Sequence, residues 1–201
     1  MSIRLYHAPL TRSLRVRWLL EELGADYEIV ALDFMGGDLQ KADYLAKHPL
    51  GKVPTLEVDG TTLWESGAMV ELLCEKFGKL APPPGSPKRG EFLQWVHFSE
   101  ATAMPPVGAF FQNAFIKPEP QRIPAVVEEA KGTIAKWLQL LDDHLKNRKY
   151  LLGDEFSAAD VMMGYTVNGA KMTGILDARF PNVEAYLGRL LERPALQRAS
   201  A

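Results

Sequence analysis

The 201-residue chain predicts an α/β domain followed by an all-helical domain. Three observations carry that expectation. The first part opens strand, helix, strand and closes on an Asp59-Gly60 hairpin. A proline-rich run, LAPPPGSPK, then interrupts the pattern, and beyond it apolar residues recur only at helical spacing. These signals place the first domain at 1–79, a semi-rigid linker at 80–87 and the second domain at 88–201. The length is sufficient to bury a core in each.

In the first domain, Ile3 to Tyr6 reads as a short apolar strand running into the loop HAPLTRS. Ser13 or Thr11 then opens a helix whose Val16, Leu19, Leu20 and Leu23 repeat at i, i+3, i+4 and i+7, with Gly24 as its stop. Tyr27 to Leu32 is the second strand, which completes a βαβ unit. After a Gly36-Gly37 turn, a weaker helix is expected from Asp38 to about Ala46. Strands Thr55 to Val58 and Thr61 to Trp64 flank Asp59-Gly60, the strongest short hairpin signal in the chain. Ser66 is expected to cap the next helix, which carries Val70, Leu73, Cys74 and Phe77 on one face and stops at Gly78. That spacing makes Cys74 a packed core thiol.

Beyond the linker no strand-like alternation occurs. A helix is expected from about Pro87 to Ala103, with Phe92, Trp95, Val96 and Phe98, and Pro105-Pro106 must break or kink it. Val107 to Phe115 is aromatic-rich. The turn KPEPQRIP leads to the most amphipathic helix, with Val127, Ala130, Ile134, Trp137, Leu138, Leu141 and Leu145 on one stripe. In FSAADVMMG, Ser157 and Asp160 have the spacing of a capping box, whose loss should cost about 1 to 2 kcal/mol. Pro181 starts a last helix through Leu191, and RPALQRASA closes the chain as a short tail.

A net charge of −2 gives no footprint for a polyanion, so nucleic acid is not an expected partner. No run of 18 apolar residues occurs, and MSIRLYHAP lacks the regions of a signal peptide, so neither membrane insertion nor export is expected and the location reads as cytoplasmic. The single Cys74 fits a reducing compartment and leaves no intrachain disulfide. His7, His48, His97 and His144 have no metal-ligand spacing, so no metal site is expected.

The stretch HPLGKVPTLEVDGTTLWES concentrates the binding chemistry. Pro54 at the head of a strand forces Val53 extended, which leaves the Val53 N–H and C=O available to pair with a peptide-like ligand. Glu65-Ser66 at a helix N-terminus offers a carboxylate to an ammonium and backbone donors to a carboxylate, which together suit an α-amino acid end.

On these residues the chain resembles the cytosolic glutathione S-transferases. VPTLEVDG followed by ESGAMVELL is similar to their glutathione-binding half, and the likeness extends to LYHAPLTRSLRVRWLLEELGADYE, FSAADVMMG and RFPNVEAYLGRLLERPALQRA. The resemblance implies a thioredoxin-like first domain with a mixed four-stranded sheet, a cis bond at Val53-Pro54, glutathione as co-substrate and a homodimer. The hydrophobic faces of the Ser66 to Phe77 and Phe92 to Ala103 helices would form the dimer contact.

The first helix opens on Thr11-Arg12-Ser13, with no sulfur, so the nucleophile must come with the ligand. A free thiol titrates near ~8.5, and a donated hydroxyl hydrogen bond, the helix N-terminus and Arg12 would together favour its anion. Among bacterial and fungal-like members of Ser/Thr type, the resemblance favours Thr11 as that hydroxyl, with Ser13 and Tyr6 as alternatives. It assigns Glu65 and Ser66 to the γ-glutamyl end and Val53 with Pro54 to the cysteinyl backbone; Lys52, or else His48 or Lys41, would meet the glycyl carboxylate. Phe110, Phe111, Phe115 and Tyr165 are candidates for a second-substrate pocket between the domains. The reaction implied is conjugation of the glutathione thiolate to an apolar electrophile in detoxification, with glutathione peroxidase or disulfide reductase side activity. The alternative is a glutathione-transferase-like binding or regulatory protein without turnover.

Overall fold

The computed structural model describes all 201 residues, in two compact units: 1–81 together with 192–201, and 82–191. In the first unit, β1 (Ile3–His7), α1 (Ser13–Leu23), β2 (Glu28–Ala31), a 3-10 turn (Asp38–Gln40), α2 (Ala42–Leu45), β3 (Thr55–Val58), β4 (Thr61–Leu63) and α3 (Ser66–Phe77) follow in order. The sheet order is β2-β1-β3-β4, with β1 and β2 parallel and the other pairs antiparallel. This is the mixed four-stranded sheet of a thioredoxin-like domain. Successive residues of β1 face opposite sides of the sheet. Leu5 is therefore buried on the face opposite Tyr6, whose ring lies 5.7 Å from that of Tyr44 on α2.

Several local expectations change. Ser13 and Ser66 are not cap residues: Arg12 and Glu65 hold those positions without side-chain cap bonds, and each serine is the first residue inside its helix. Both hydroxyls are engaged with neighbouring chain segments instead. The helix expected over Asp38 to Ala46 is split by Lys41, whose extended backbone separates the 3-10 turn from α2. Gly24 and Gly78 end α1 and α3 in the left-handed conformation, as a C-terminal glycine does.

The second unit contains α4 (Arg89–His97), α5 (Met104–Phe111), α6 (Pro124–His144), α7 (Ala158–Met172) and α8 (Pro181–Leu191). Pro105-Pro106 does not break the chain's helical path. A π-helical stretch, Phe98–Ala103, leads into α5, so both prolines sit in a first turn, where their missing N–H groups leave no bond unmade. A second π-helical stretch, Gln112–Ile116, follows. The core includes Phe92, Trp95, Val96, Ile134, Trp137, Leu138, Leu141, Met162 and Tyr186. Asp142 of α6 caps α8, accepting from the backbone N–H groups of Asn182 and Val183 at 2.8 and 3.1 Å. The Ser157–Asp160 capping box is formed.

The expected tail is a helix, α9 (Pro194–Ser200), packed against α1, so residues 192–201 belong to the first unit and the second ends earlier than the 88–201 span drawn from sequence. Arg193 places its guanidinium fork on Glu22 of α1, with Nε and Nη2 at 2.5 and 2.7 Å from the two carboxylate oxygens. Trp18 Nε1 donates to the same carboxylate at 2.8 Å.

Candidate functional site

The N-terminus of α1 gathers the groups suited to holding a thiol. Thr11 donates its hydroxyl hydrogen bond to the Ala8 carbonyl at 2.7 Å, and its Oγ1 lies 2.7 Å from Ser13 Oγ. Ser13 Oγ lies 2.8 Å from His7 Nδ1 and accepts from the Ala8 N–H at 3.2 Å. Ser13 is fully buried, whereas Thr11 is half-buried. A hydroxyl on the rim is thus backed by one in the interior. Burial, and then the positive charge of Arg17, pull the His7 imidazole down to about 4, so it is neutral at ordinary pH.

Two residues further along the same turn, the buried Arg15 sends Nη1 to Ser66 Oγ at 3.3 Å. Thr11, expected at the cysteinyl sulfur of a bound tripeptide, and Ser66, expected at its γ-glutamyl end, are therefore both tied to the first turn of α1. Ser66 opens α3, whose first N–H groups have no intrahelical partner and suit an anion. Glu65 beside it holds φ +75° and ψ +103°, a conformation costly for a residue with a Cβ, at about 1 to 3 kcal/mol. It is exposed, and Ser66 is buried.

The third part of the site is the segment before β3. The Val53-Pro54 peptide is cis. The ladder of β3 with β1 and β4 begins only at Thr55, which leaves Val53 outside it. Tyr44 OH donates to the Lys52 carbonyl and lies 2.9 Å from Thr55 Oγ1, so it fixes this segment on both sides of the cis bond. Gly51, at φ +56°, lies so close to the Leu39 carbonyl that an added Cβ would fall 2.6 Å from it.

The three candidates for the glycyl carboxylate differ. Lys52 is exposed at the turn, Lys41 is paired with Asp38, and His48 is buried with its ring 5.6 Å from that of Trp64 and its pKa lowered by burial. Arg12 is half-buried at the α1 N-cap.

Tyr6 is not brought to this cluster. It precedes His7 on β1, and since His7 reaches Ser13, Tyr6 points to the other face, where Lys47 Nζ lies 5.3 Å from its ring centroid. A shallow basin of about 260 Å³ opens there, lined by Tyr6, Leu32, Tyr44, Lys47 and their neighbours. In the second unit, Phe110 is a core residue and Phe111 is half-buried, while Phe115 is 61% exposed; their rings lie 5.8 to 6.1 Å apart. Tyr165, on α7, is half-buried.

Sequence reasoning passed over three residues that build the site: His7, Arg15 and Tyr44. The one visible signal was Arg15. It stands four residues before Leu19, on the stripe that α1 buries.

Residues 1–74 match the N-terminal domain of glutathione S-transferases, and residues 102–194 match their C-terminal domain. The chain belongs to the glutathione S-transferase family. Glutathione S-transferase 3 of Schizosaccharomyces pombe is 30% identical over 98% of this chain and 86% of its own length. The disulfide-bond oxidoreductase YfcG of Escherichia coli is 29% identical over 98% of this chain and 94% of its own. Among solved structures, a glutathione transferase from Burkholderia graminis, with two glutathione molecules bound per subunit, superposes with a TM-score of 0.89 at 27% identity, covering 99% of this chain and 87% of that one. In this family member, no group of three His, Cys, Asp or Glu side chains is placed to hold a metal ion, and no helix is long and apolar enough to cross a membrane.

Proposed function

We propose that this protein is a glutathione transferase of the hydroxyl-dependent type, in which Thr11 donates a hydrogen bond to the glutathione sulfur and holds it as the thiolate. The observation that carries the reading is the shared anchoring of Thr11 and Ser66 at the first turn of α1, one through Ser13 and the other through Arg15. Glu65 would take the ligand's ammonium, Ser66 and the α3 N-terminus its γ-glutamyl carboxylate, and the Val53 backbone its cysteinyl peptide group. Lys52 would take the glycyl carboxylate, favoured over Lys41 and His48 because its cation is exposed and those two are engaged or buried. Tyr6 is disfavoured as the activating hydroxyl by its place on the other face of the sheet.

Each unit of thiol pKa lowering takes about 1.4 kcal/mol of preferential stabilisation of the anion. One charge-assisted hydrogen bond together with the α1 N-terminus is of the right size for about two units. The thiolate then attacks an electrophilic carbon. A C–S bond forms, and the leaving group departs with its electron pair. With a disulfide, the same thiolate would attack sulfur and expel a second thiolate; this side activity is supported by the likeness to the Escherichia coli oxidoreductase.

Phe111, Phe115 and Tyr165 remain the proposed contacts for an apolar electrophile, with the buried Phe110 packed behind the two phenylalanines, and a detoxifying role belongs to the same reading. A cytoplasmic homodimer is also proposed. The lone, buried Cys74 suits a reducing compartment; Val70, Leu73, Phe92, Trp95 and Val96, on the helix faces expected to meet a partner, are instead buried within the subunit, and the exposed apolar side chains suited to a partner are Leu50 and Trp64, 68% and 46% exposed.

The test is a pH titration of the bound glutathione thiol, followed by thiolate absorbance, in the native protein and in Thr11→Ala. The expected result is a thiol pKa well below the free value that rises again in the variant. A low pKa indifferent to Thr11 overturns its role, and no glutathione binding overturns the transferase reading.

A further inference from the structure

We infer that His7 is a positioning residue for thiol activation: its Nδ1–H orients the Ser13 hydroxyl toward Thr11, so that Thr11 receives a hydrogen bond while it gives its own proton to the ligand sulfur. The inference rests on the transferase reading and deepens it.

The protons shared among these side chains can be counted. Three short contacts run in series: His7 Nδ1 to Ser13 Oγ at 2.8 Å, Ser13 Oγ to Thr11 Oγ1 at 2.7 Å, and Thr11 Oγ1 to the Ala8 carbonyl at 2.7 Å. Each needs one hydrogen between its two heavy atoms, and a carbonyl has none to give. The two hydroxyls supply two. The third must come from the imidazole, so His7 carries its proton on Nδ1. With Nδ1 unprotonated, Ser13 would have to donate both to His7 and toward Thr11, or Thr11 both to Ser13 and to Ala8, and one pair of acceptors would face each other at hydrogen-bond distance. The Ala8 N–H already occupies one lone pair of Ser13 at 3.2 Å, and the His7 Nδ1–H takes the other, which leaves the Ser13 proton for Thr11.

The series therefore has a direction, from His7 through Ser13 to Thr11. Its last acceptor in the unliganded chain is the Ala8 carbonyl. A thiolate is the stronger acceptor, and a hydroxyl proton turns freely about its C–O bond, so a bound sulfur would take the Thr11 proton from Ala8. Ser13 Oγ also lies 3.1 Å from that carbonyl, but its one proton is committed to Thr11. A hydroxyl that accepts a hydrogen bond donates a stronger one, because a hydrogen-bonded series is polarised along its length. The neutral state of His7 suits this role: it faces Ser13 and the guanidinium of Arg17 on α1, and burial disfavours its cation.

Two measurements test the inference. Nitrogen NMR of the histidine-labelled native protein reads the tautomer directly; a protonated Nδ1 on His7 supports the series, and protonation on Nε2 alone overturns it. The second measurement compares His7→Leu, which removes the donor, with His7→Asn, whose amide can still donate to Ser13. In His7→Leu the thiol pKa of bound glutathione is expected to rise by about half a unit to one unit, roughly a three- to tenfold loss of thiolate at a pH below it. Affinity for S-methylglutathione, which has no thiol, should stay within about twofold, and His7→Asn should restore most of the shift. Equal thiol pKa values in the native and His7→Leu proteins overturn the inference while leaving the transferase reading intact. Failure of the native protein to bind glutathione or S-methylglutathione overturns both.

Discussion

Removing the Asp160 carboxylate should be among the most damaging single changes in the second unit. Asp160 is fully buried and accepts four hydrogen bonds: from the Leu151 N–H at 2.9 Å, the Ser157 N–H at 2.8 Å, the Ser157 hydroxyl at 2.9 Å and the Tyr186 hydroxyl at 3.0 Å. Burial drives its carboxyl upward in pKa, and the four donors pull it back toward the anion. In Asp160→Ala the Ser157 hydroxyl can turn elsewhere, but two backbone N–H groups and the Tyr186 hydroxyl stay buried without an acceptor. At about 1 to 2 kcal/mol for each of the three stranded groups, the loss comes to about 3 to 6 kcal/mol, against a typical domain stability of about 5 to 15 kcal/mol. Urea unfolding followed by tryptophan fluorescence reports on this unit, because Trp95 and Trp137 lie in its core. Two milder variants calibrate the reading. Ser157→Ala removes a cap and should cost about 1 to 2 kcal/mol, and Tyr186→Phe, which leaves three donors on the carboxylate, about 1 kcal/mol. If Asp160→Ala costs no more than Ser157→Ala, the carboxylate is only a helix cap and the reasoning from four donors fails.

Three further outcomes are expected. The folded protein holds the His7 pKa near 4, below the ordinary 6.5, so His7 leaves stability whole above pH 6.5 and withdraws up to about 3 kcal/mol as the pH falls through 6.5 to 4; acid unfolding monitored by circular dichroism should be shallower over that window in His7→Asn. Arg193→Met strands the Glu22 carboxylate, whose side chain is only 8% exposed, and should lower stability by about 2 to 4 kcal/mol in a thermal melt, whereas Arg198→Met, on a more exposed pair with Glu21, should cost under about 1 kcal/mol. Gly51→Ala sets a Cβ 2.6 Å from the Leu39 carbonyl at φ +56°, so about 2 to 3 kcal/mol of stability should be lost and glutathione affinity measured by calorimetry should fall, because Lys52 and Val53 move with it.

The fold was legible where one local signal sufficed. Asp59-Gly60 fixed the hairpin, Gly24 and Gly78 fixed two helix ends, and the stripe from Ala130 to Leu145 fixed α6. What stayed hidden depends on partners distant in sequence. Ser66 looks like a helix cap because serines often are, but Arg15, 51 residues earlier, takes its hydroxyl. Pro105-Pro106 looks like a break, but the widened π turn before it places the prolines where no donor is needed. Asp160 showed only its near partner Ser157; Tyr186 lies 26 residues on. In the proposed site, Glu65, Ser66, Val53 and Pro54 are marked by order along the chain. His7 was not, since nothing in a strand-end histidine announces that a serine six residues later will sit 2.8 Å from its Nδ1.

The return of α9 to α1 bears on how the molecule can be made. The Arg193–Glu22 fork joins positions 171 residues apart, so the first unit is finished only after the entire second unit has left the ribosome. Until then the face of α1 that α9 covers is open to water and to other chains. A polypeptide stopped short of Glu192 would carry every proposed glutathione contact and still lack a piece of the body that holds them. The last helix thus acts as a check on completeness: residues outside the proposed glutathione contacts would decide whether the ligand site persists.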